Sequence, residues 1–140
     1  MNIETVVTEY DDALSQLKKR VETVFHDNFM TFFSANPKVY GITWHQYTPH
    51  FNDGDPCYFG VDEMYVIDTE EGLEEAKEGA RPYDFVSSYE MSKKPDMQSV
   101  VDFLQALDKM PLEVMEGMFG DGVQVVAHRD GFTVFEINHD

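Results

Sequence analysis

One stretch of sequence decides the fold: residues 40–47 read Tyr-Gly-Ile-Thr-Trp-His-Gln-Tyr. β-Branched and aromatic residues are frequent in it, and both kinds favour a strand. In the following loop, residues 48–56, the quartet Asn52-Asp53-Gly54-Asp55 lies between two prolines, which is typical of a turn with a positive φ at Gly54. A second strand is predicted over residues 57–67, so the chain folds back as a hairpin with a long, structured loop.

A long helix is predicted before this hairpin, over residues 4–34. Apolar residues recur there at spacings of three and four, which places them along one stripe of a helix. These residues are Val6, Tyr10, Ala13, Leu17, Val21, Val24, Phe25, Phe29 and Phe32. Phenylalanines surround the C-terminal end of the helix, so we expect that end in the core or at a contact between two copies. Asn36 and Pro37 end the helix.

Three shorter helices are predicted after the hairpin. The first begins at the capping box Asp68-Thr69-Glu70-Glu71 and stops at Gly79. The second covers residues 96–109 with Asp96 as its cap, and the third covers residues 111–120, where proline suits the first position. The segment between the first two, residues 80–95, is irregular or contains a short strand at residues 85–89.

The chain closes on a second predicted hairpin. Strands at residues 123–128 and 132–138 flank Arg129-Asp130-Gly131, and Asp-Gly is among the strongest turn signals. The order α, ββ, α, α, α, ββ indicates one α+β domain over residues 1–140. We expect a mainly antiparallel sheet of two hairpins, packed on one face against the long N-terminal helix and the shorter helices.

Composition limits the classes of function. A chain of 140 residues can bury the core of one ordinary domain. It contains no run of 18 apolar residues, begins without the features of a secretory signal, and has a single cysteine, so we expect a cytoplasmic protein without a membrane segment or an internal disulfide. The net charge of −17 repels phosphate backbones, which argues against direct binding of nucleic acid.

The acidity is concentrated in residues 53–78, which carry ten acidic residues against Lys77 alone. Glu71, Glu74, Glu75 and Glu78 follow the spacing i, i+3, i+4, i+7 and share one face of the predicted helix. Each pair of like-charged neighbours there costs about 0.2–0.5 kcal/mol. Such a row imitates the charge of nucleic acid and fits a basic protein surface, or it is a solvated face that keeps the protein in solution.

The loop and its borders hold the residue types that bind transition metals, namely His45, His50, Asp53, Asp55 and Cys57. Their spacing matches no zinc motif and no calcium loop, so we predict no cofactor and no catalytic residue. A metal-dependent enzyme that uses His45, His50 and Asp55 is one alternative, and a Cys57 nucleophile with a histidine base is another. The aspartates equally fit turn chemistry, in which a carboxylate bonds to nearby backbone amides.

Aromatic residues around the loop suggest a binding surface. Trp44, Tyr47 and Phe51 offer apolar area for a protein contact or for stacking on a nucleotide-like ligand. Most of these aromatics equally suit the core of the sheet. Phe51 is the exception, because it stands in a loop between prolines, where an exposed ring indicates a partner.

Residues 44–57 resemble a segment found in small uncharacterised proteins of tailed bacteriophages. The resemblance covers the hairpin and the preceding helix, about a third of the chain. It implies an accessory phage protein in the host cytoplasm, of a kind that often inhibits host defence or nucleic-acid enzymes. Together these features predict a non-enzymatic protein that binds a host protein with a basic surface. The phenylalanine-rich end of the first helix leaves a homodimer open as an alternative. The predicted binding residues are Trp44, Tyr47, His50, Phe51, Asp53, Asp55, Glu71, Glu74, Glu75 and Glu78.

Overall fold

A computed structural model of the chain describes residues 2–50 and 54–137. Its helices are α1 (Ile3–Ala35), α2 (Glu70–Lys77), α3 (Ser88–Ser92), α4 (Gln98–Leu107) and α5 (Leu112–Phe119), with a 3₁₀ turn at Pro82–Asp84. Its strands are β1 (Gly41–Tyr47), β2 (Gly60–Val61), β3 (Tyr65–Ile67), β4 (Val123–His128) and β5 (Gly131–Glu136). The predicted α+β class is confirmed.

The five strands form one antiparallel sheet in the order β2-β1-β4-β5, with β3 also paired to β1. The pairing of β1 with β4 joins the two predicted hairpins, and it extends from Gly41 opposite His128 to Gln46 opposite Val123. The prediction of one continuous strand over residues 57–67 is wrong. Residues 62–64 separate β2 from β3 as a bulge, because three residues there face only two residues of β1.

One face of the sheet is covered by α1, α3, α4 and α5, and we call it the helix-covered face. Phe29 and Trp44 are completely buried there, with their ring centroids 6.3 Å apart. Phe32 stacks on Phe103 of α4 at 4.1 Å. The phenylalanine-rich end of α1 therefore lies in the core, which is one of the two positions expected for it.

The opposite face, which we call the polar face, carries α2. Ala76 of this helix is buried against Ile67 and Val126 of the sheet. A Cβ atom at Gly72 would lie 3.2 Å from the Cγ2 atom of Ile67, so glycine permits the close approach. The expectation that all helices lie on one face is thus wrong for α2. Its narrow apolar side packs on a small second cluster, to which Leu73, Phe85 and Phe135 also contribute.

The N-terminal two thirds of α1 extend away from this core. The helix has 33 residues, which corresponds to a length of about 50 Å. Large apolar side chains along its free part are at least half exposed: Ile3, Val6, Val7, Tyr10, Leu17 and Val24. This segment is therefore held by its own helical hydrogen bonds and by the C-terminal anchor, and it offers an apolar surface to solvent.

Local details confirm some turn predictions and correct others. Gly54 has a φ of 92°, as the predicted turn requires. The cap of α4 is Met97 and not Asp96, which itself adopts a φ of 62°. In place of a short strand at residues 85–89, Val86 makes a single bridge with Val66, and α3 follows. Within the described ranges, no helix has the length and the apolar character needed to cross a bilayer.

Candidate functional site

The row of glutamates on α2 faces solvent. Glu71, Glu74, Glu75 and Glu78 are all exposed. The helix is oriented by its start, where the backbone N–H of Gly72 donates to the Thr69 hydroxyl at 2.9 Å, and by buried Ala76 on its inner side. Packing of the inner side thus leaves the predicted acidic side free.

Lys77 offsets only part of this charge. Its ammonium lies 3.9 Å from a carboxylate oxygen of Glu74, and an exposed pair of that kind contributes little. Across residues 2–50 and 54–137, no basic side chain forms an ion pair with Glu71, Glu75 or Glu78. The row therefore keeps most of its negative charge.

A second acidic feature arises at the bulge between β2 and β3. The backbone N–H of Asp62 donates to the carbonyl of His45 at 2.9 Å, which holds the bulge against β1. Both Asp62 and Glu63 are exposed there. They border a cleft of about 180 Å³ lined by His45, Asp62, Glu63, Tyr65, Pro82 and Tyr83. Tyr65 lies opposite Thr43 and two residues before Ile67, which places the cleft on the polar face, beside α2.

A buried hydrogen-bond network fixes the floor of this cleft. The side-chain amide of Gln124 donates to the carbonyl of Ala80 at 2.8 Å and to the Thr43 hydroxyl at 3.0 Å. Because a carbonyl only accepts, the amide nitrogen must face it, and the amide oxygen then faces Nε2 of His45 at 3.0 Å. Nε2 of His45 therefore carries a hydrogen and donates, which sets the orientation of the ring.

The two tyrosines of the cleft have charged partners. The Glu63 carboxylate accepts a hydrogen bond from the Tyr65 hydroxyl, and this bond, followed by partial burial and nearby negative charges, raises the pKa of Tyr65 above its ordinary value. The guanidinium of Arg81 donates to the Tyr83 hydroxyl and lies 5.7 Å from the centre of that ring. Carboxylates beside aromatic rings form surroundings that suit a cation.

Of the aromatic platform predicted from sequence, Trp44 and Tyr47 lie among the described residues. Trp44 is fully buried, and its Nε1 donates to the Gln46 side chain at 3.0 Å. Its assignment as a binding residue is corrected, because a ring enclosed by the core offers no face to a ligand. Tyr47 is half-buried at the end of β1. The predicted residues Phe51 and Asp53 lie outside the described residues.

The described histidine and aspartate residues in and beside the loop do not converge on one point. His50 and Asp55 are exposed, whereas the ring of His45 belongs to the Gln124 network on the sheet. Among the residues that the structure describes, no three histidine, cysteine, aspartate or glutamate side chains are placed to hold a metal ion. Cys57 is a half-buried free thiol.

Sequence reasoning missed the cleft, although two signals pointed to it. Asp62-Glu63 interrupts an otherwise apolar alternation, which is typical of a bulge. Gln124 stands between two valines of a fully buried strand, where an amide needs partners. What brings Tyr83 to the same place is the path of the chain after α2, for which the sequence carries no local signal.

The chain was compared with protein-family models, with curated proteins and with solved structures. None of these comparisons found a match.

Proposed function

We propose that this protein is a non-enzymatic binding protein that docks an acidic surface onto a basic surface of another protein. The acidic surface consists of Glu71, Glu74, Glu75 and Glu78 on α2 together with the cleft at Asp62 and Glu63. The observation that carries the proposal is that these two groups of exposed carboxylates lie on the same face of the sheet. Following the resemblance of residues 44–57, we place the protein among bacteriophage accessory proteins that act in the host cytoplasm and inhibit a host factor.

The energetics of α2 support a role in recognition. The four glutamates form four like-charged neighbour pairs at spacings of three or four, and each costs about 0.2–0.5 kcal/mol in the free protein. Lysine or arginine residues of a partner would relieve this repulsion on binding. The repulsion among these glutamates thus destabilises the free protein and is relieved in a complex, as expected of a docking surface.

The spacing of the row also suits a surface that normally binds nucleic acid. From Glu71 to Glu78 the helix rises about 10.5 Å, which gives one charge per roughly 3.5 Å. A single DNA strand carries one charge per about 3.4 Å. A basic groove that follows one strand would therefore meet a similar charge spacing along α2.

The cleft supplies a more specific contact than the row. Asp62 and Glu63 present carboxylates at its border, and Tyr65 presents a ring, whereas Arg81 already lies beside the ring of Tyr83. An arginine side chain of the partner fits this chemistry, because guanidinium binds carboxylates in a planar fork and stacks on aromatic faces. Phosphate groups would be repelled by the same carboxylates, which favours a protein partner over a nucleotide.

A pull-down with a matched control tests the proposal. Tagged protein is incubated with bacterial lysate at low and at moderate salt, next to a variant with Glu71→Gln, Glu74→Gln, Glu75→Gln and Glu78→Gln. The control carries Glu4→Gln, Glu9→Gln, Glu113→Gln and Glu116→Gln, which are exposed residues of α1 and α5. Both variants lose the same four charges from the net −17, so only the position of the charges differs.

We expect one host protein to be recovered with the wild type and the control but not with the α2 variant, and less of it at moderate salt. Asp62→Asn with Glu63→Gln should weaken the same interaction, because the cleft would lose its carboxylates. If the α2 variant and the control recover equally little host protein, net charge and not the position of the glutamates would explain the binding. Recovery that is independent of salt and of all these substitutions would contradict the proposal.

A further inference from the structure

The exposed side of α1 carries a regular heptad pattern. Apolar residues occupy seven consecutive positions spaced alternately by four and three: Ile3, Val7, Tyr10, Leu14, Leu17, Val21 and Val24. This is the a/d spacing at which helices pack in coiled coils. Leu14 and Val21 are partly buried, but the other five are at least half exposed, so the chain itself leaves most of this stripe uncovered.

The stripe leads into a groove on the body of the protein. The groove has a volume of about 330 Å³, and α1 borders it with residues that include Leu17, Val21 and Val24. Phe103, Leu107 and Met110 line it from the side of α4. The apolar surface therefore continues from the free end of α1 to the region where α1 joins the core.

Charges along the free part of α1 are segregated. The first part carries Glu4, Glu9, Asp11 and Asp12 without a basic residue. Lys18, Lys19 and Arg20 follow nearly two turns later, and Glu22 comes after them. A parallel partner helix in the same register would bring acids to acids and bases to bases. An antiparallel helix of the same sequence would bring the acidic part of each copy to the basic part of the other.

We propose that a second copy of this chain packs on the stripe of α1 as an antiparallel helix pair. With Leu14 of each copy opposite Leu17 of the other, the layers run in register from Ile3 facing position 28 to Val24 facing Val7. Asp11 and Lys18 flank the stripe at equivalent positions, and in this register each Asp11 lies beside the partner's Lys18, twice per dimer. Ile3 and Val7 of the second copy then reach the groove beside α4.

Two features favour a second copy over other occupants. The free stripe is as long as its own antiparallel copy, so each helix covers the whole exposed stretch of the other. A membrane surface does not fit, because α1 and the chain as a whole carry net negative charge, which anionic lipids repel. This inference is independent of the acidic surface, which lies on α2 and the bulge.

Sedimentation velocity on the full chain over a range of concentrations tests the pairing. We expect a dimer for the wild type. Leu17→Asp should raise the dissociation constant at least about tenfold, because it inserts a charge into the middle of the apolar stripe. Gln16→Asp is the matched control, since it inserts the same charge on the opposite side of the same turn and should leave the dimer intact. Far-UV circular dichroism checks that both variants stay folded, as expected for exposed positions.

A charge exchange tests the orientation. Asp11→Lys and Lys18→Glu should each weaken the homodimer, because each places like charges at both flanking pairs. Mixing the two variants should restore dimers, since every 11–18 pair across the heterodimer then joins opposite charges. A wild type that stays monomeric at all concentrations, or equal effects of Leu17→Asp and Gln16→Asp, would overturn the proposal. A mixture that associates no better than its components would overturn the antiparallel register.

Discussion

The two faces of the sheet bury side chains of different chemistry. On the helix-covered face, Ile42, Trp44 and Val125 pack against four helices. On the polar face, Thr43 and Gln124 are buried at the same depth, and among the described residues α2 and the turn after it lie over this face. The difference shows that a sheet can bury apolar side chains under several helices and, on its other face, polar side chains that bond to each other.

Each face also contains one buried glutamine, and the two have similar tasks. Gln46 donates to the carbonyls of Met115 and Gly120 and thereby fixes the middle and the C-terminal end of α5 to the helix-covered face. Gln124 donates to the carbonyl of Ala80 and fixes the chain after α2 to the polar face. On the polar face this bond attaches the chain next to the cleft, together with the backbone bridge between Val66 and Val86 further along.

Removal of a core ring should have the largest effect on stability. Phe29 is fully buried among the rings of Phe25, Trp44 and Phe103. Phe29→Ala should lower the free energy of unfolding by about 3–5 kcal/mol in chemical denaturation, because it removes this contact area and leaves a cavity. Tyr58→Ala truncates an aromatic that is 74% exposed and serves as the control, with a change of about 0.5 kcal/mol or less. Similar losses in both variants would mean that Phe29 is not part of a packed core.

A change at Gln124 should have an intermediate effect. Gln124→Leu keeps the volume but leaves the Ala80 carbonyl and the Nε2 hydrogen of His45 without their partner, which should cost about 1–3 kcal/mol. Gln46→Leu should cost a similar amount on the helix-covered face. The two variants differ in their secondary effect: only Gln124→Leu should increase amide hydrogen exchange in the segment after α2. Unchanged hydrogen exchange in that segment would show that Gln124 does not anchor the chain beside the cleft.

His128, on the polar face, should make the free energy of unfolding depend on pH. Its side chain is buried, with Nε2 2.9 Å from the Thr133 hydroxyl, and Nδ1 accepts from the backbone N–H of Asp130. Burial, and then the charge of Lys77, lowers the pKa of His128 below its ordinary value near 6.5. The stabilisation that this group gives is complete above pH 6.5. It is lost as the pH falls toward the folded-state pKa, because only the unfolded chain binds the proton there.

His128→Gln should therefore flatten the decrease in the free energy of unfolding between about pH 7.5 and 5. Urea denaturation at several pH values measures the slope, so a general loss of stability in the variant does not obscure the result. A variant with the wild-type slope would show that His128 does not titrate differently in the folded and unfolded states. The effect is expected to be smaller than that of either glutamine substitution.

Patterns in the sequence predicted the elements well where one period dominates. The spacing of apolar residues located α1, and the β-rich stretch located β1 with its observed end at Tyr47. The prediction failed where two structures share the same local signal. An apolar stripe looks the same whether it faces a core or a second helix, so the sequence predicted the covered phenylalanine-rich end of α1 but not the exposure of the stripe before it.

The candidate site was predicted only in part for a similar reason. The glutamates of α2 depend on helical spacing alone, and their exposure is confirmed. Trp44 was assigned to a surface because aromatics suit both binding and burial, and only the register of β1 shows that its side chain points into the core. The cleft requires the bulge and the return of the chain over His45, which are contacts between distant segments.

The smallest expected effect concerns the charges of α2 and distinguishes a surface for solubility from a surface for binding. Glu75 has like-charged neighbours at Glu71 and Glu78. The helix dipole favours carboxylates in the first turn, and Glu75 lies beyond that turn. Glu75→Gln should therefore stabilise the protein by roughly 0.2–0.5 kcal/mol per removed pair at low salt, and the gain should vanish at high salt. Thermal unfolding at two salt concentrations measures this, with Glu113→Gln on α5 as the control.

Loss of stability on Glu75→Gln would mean that the carboxylate has a favourable partner within the chain, and the row would then be part of the fold. A gain in stability combined with weaker binding in the pull-down is the result expected of a row that is kept for its partner.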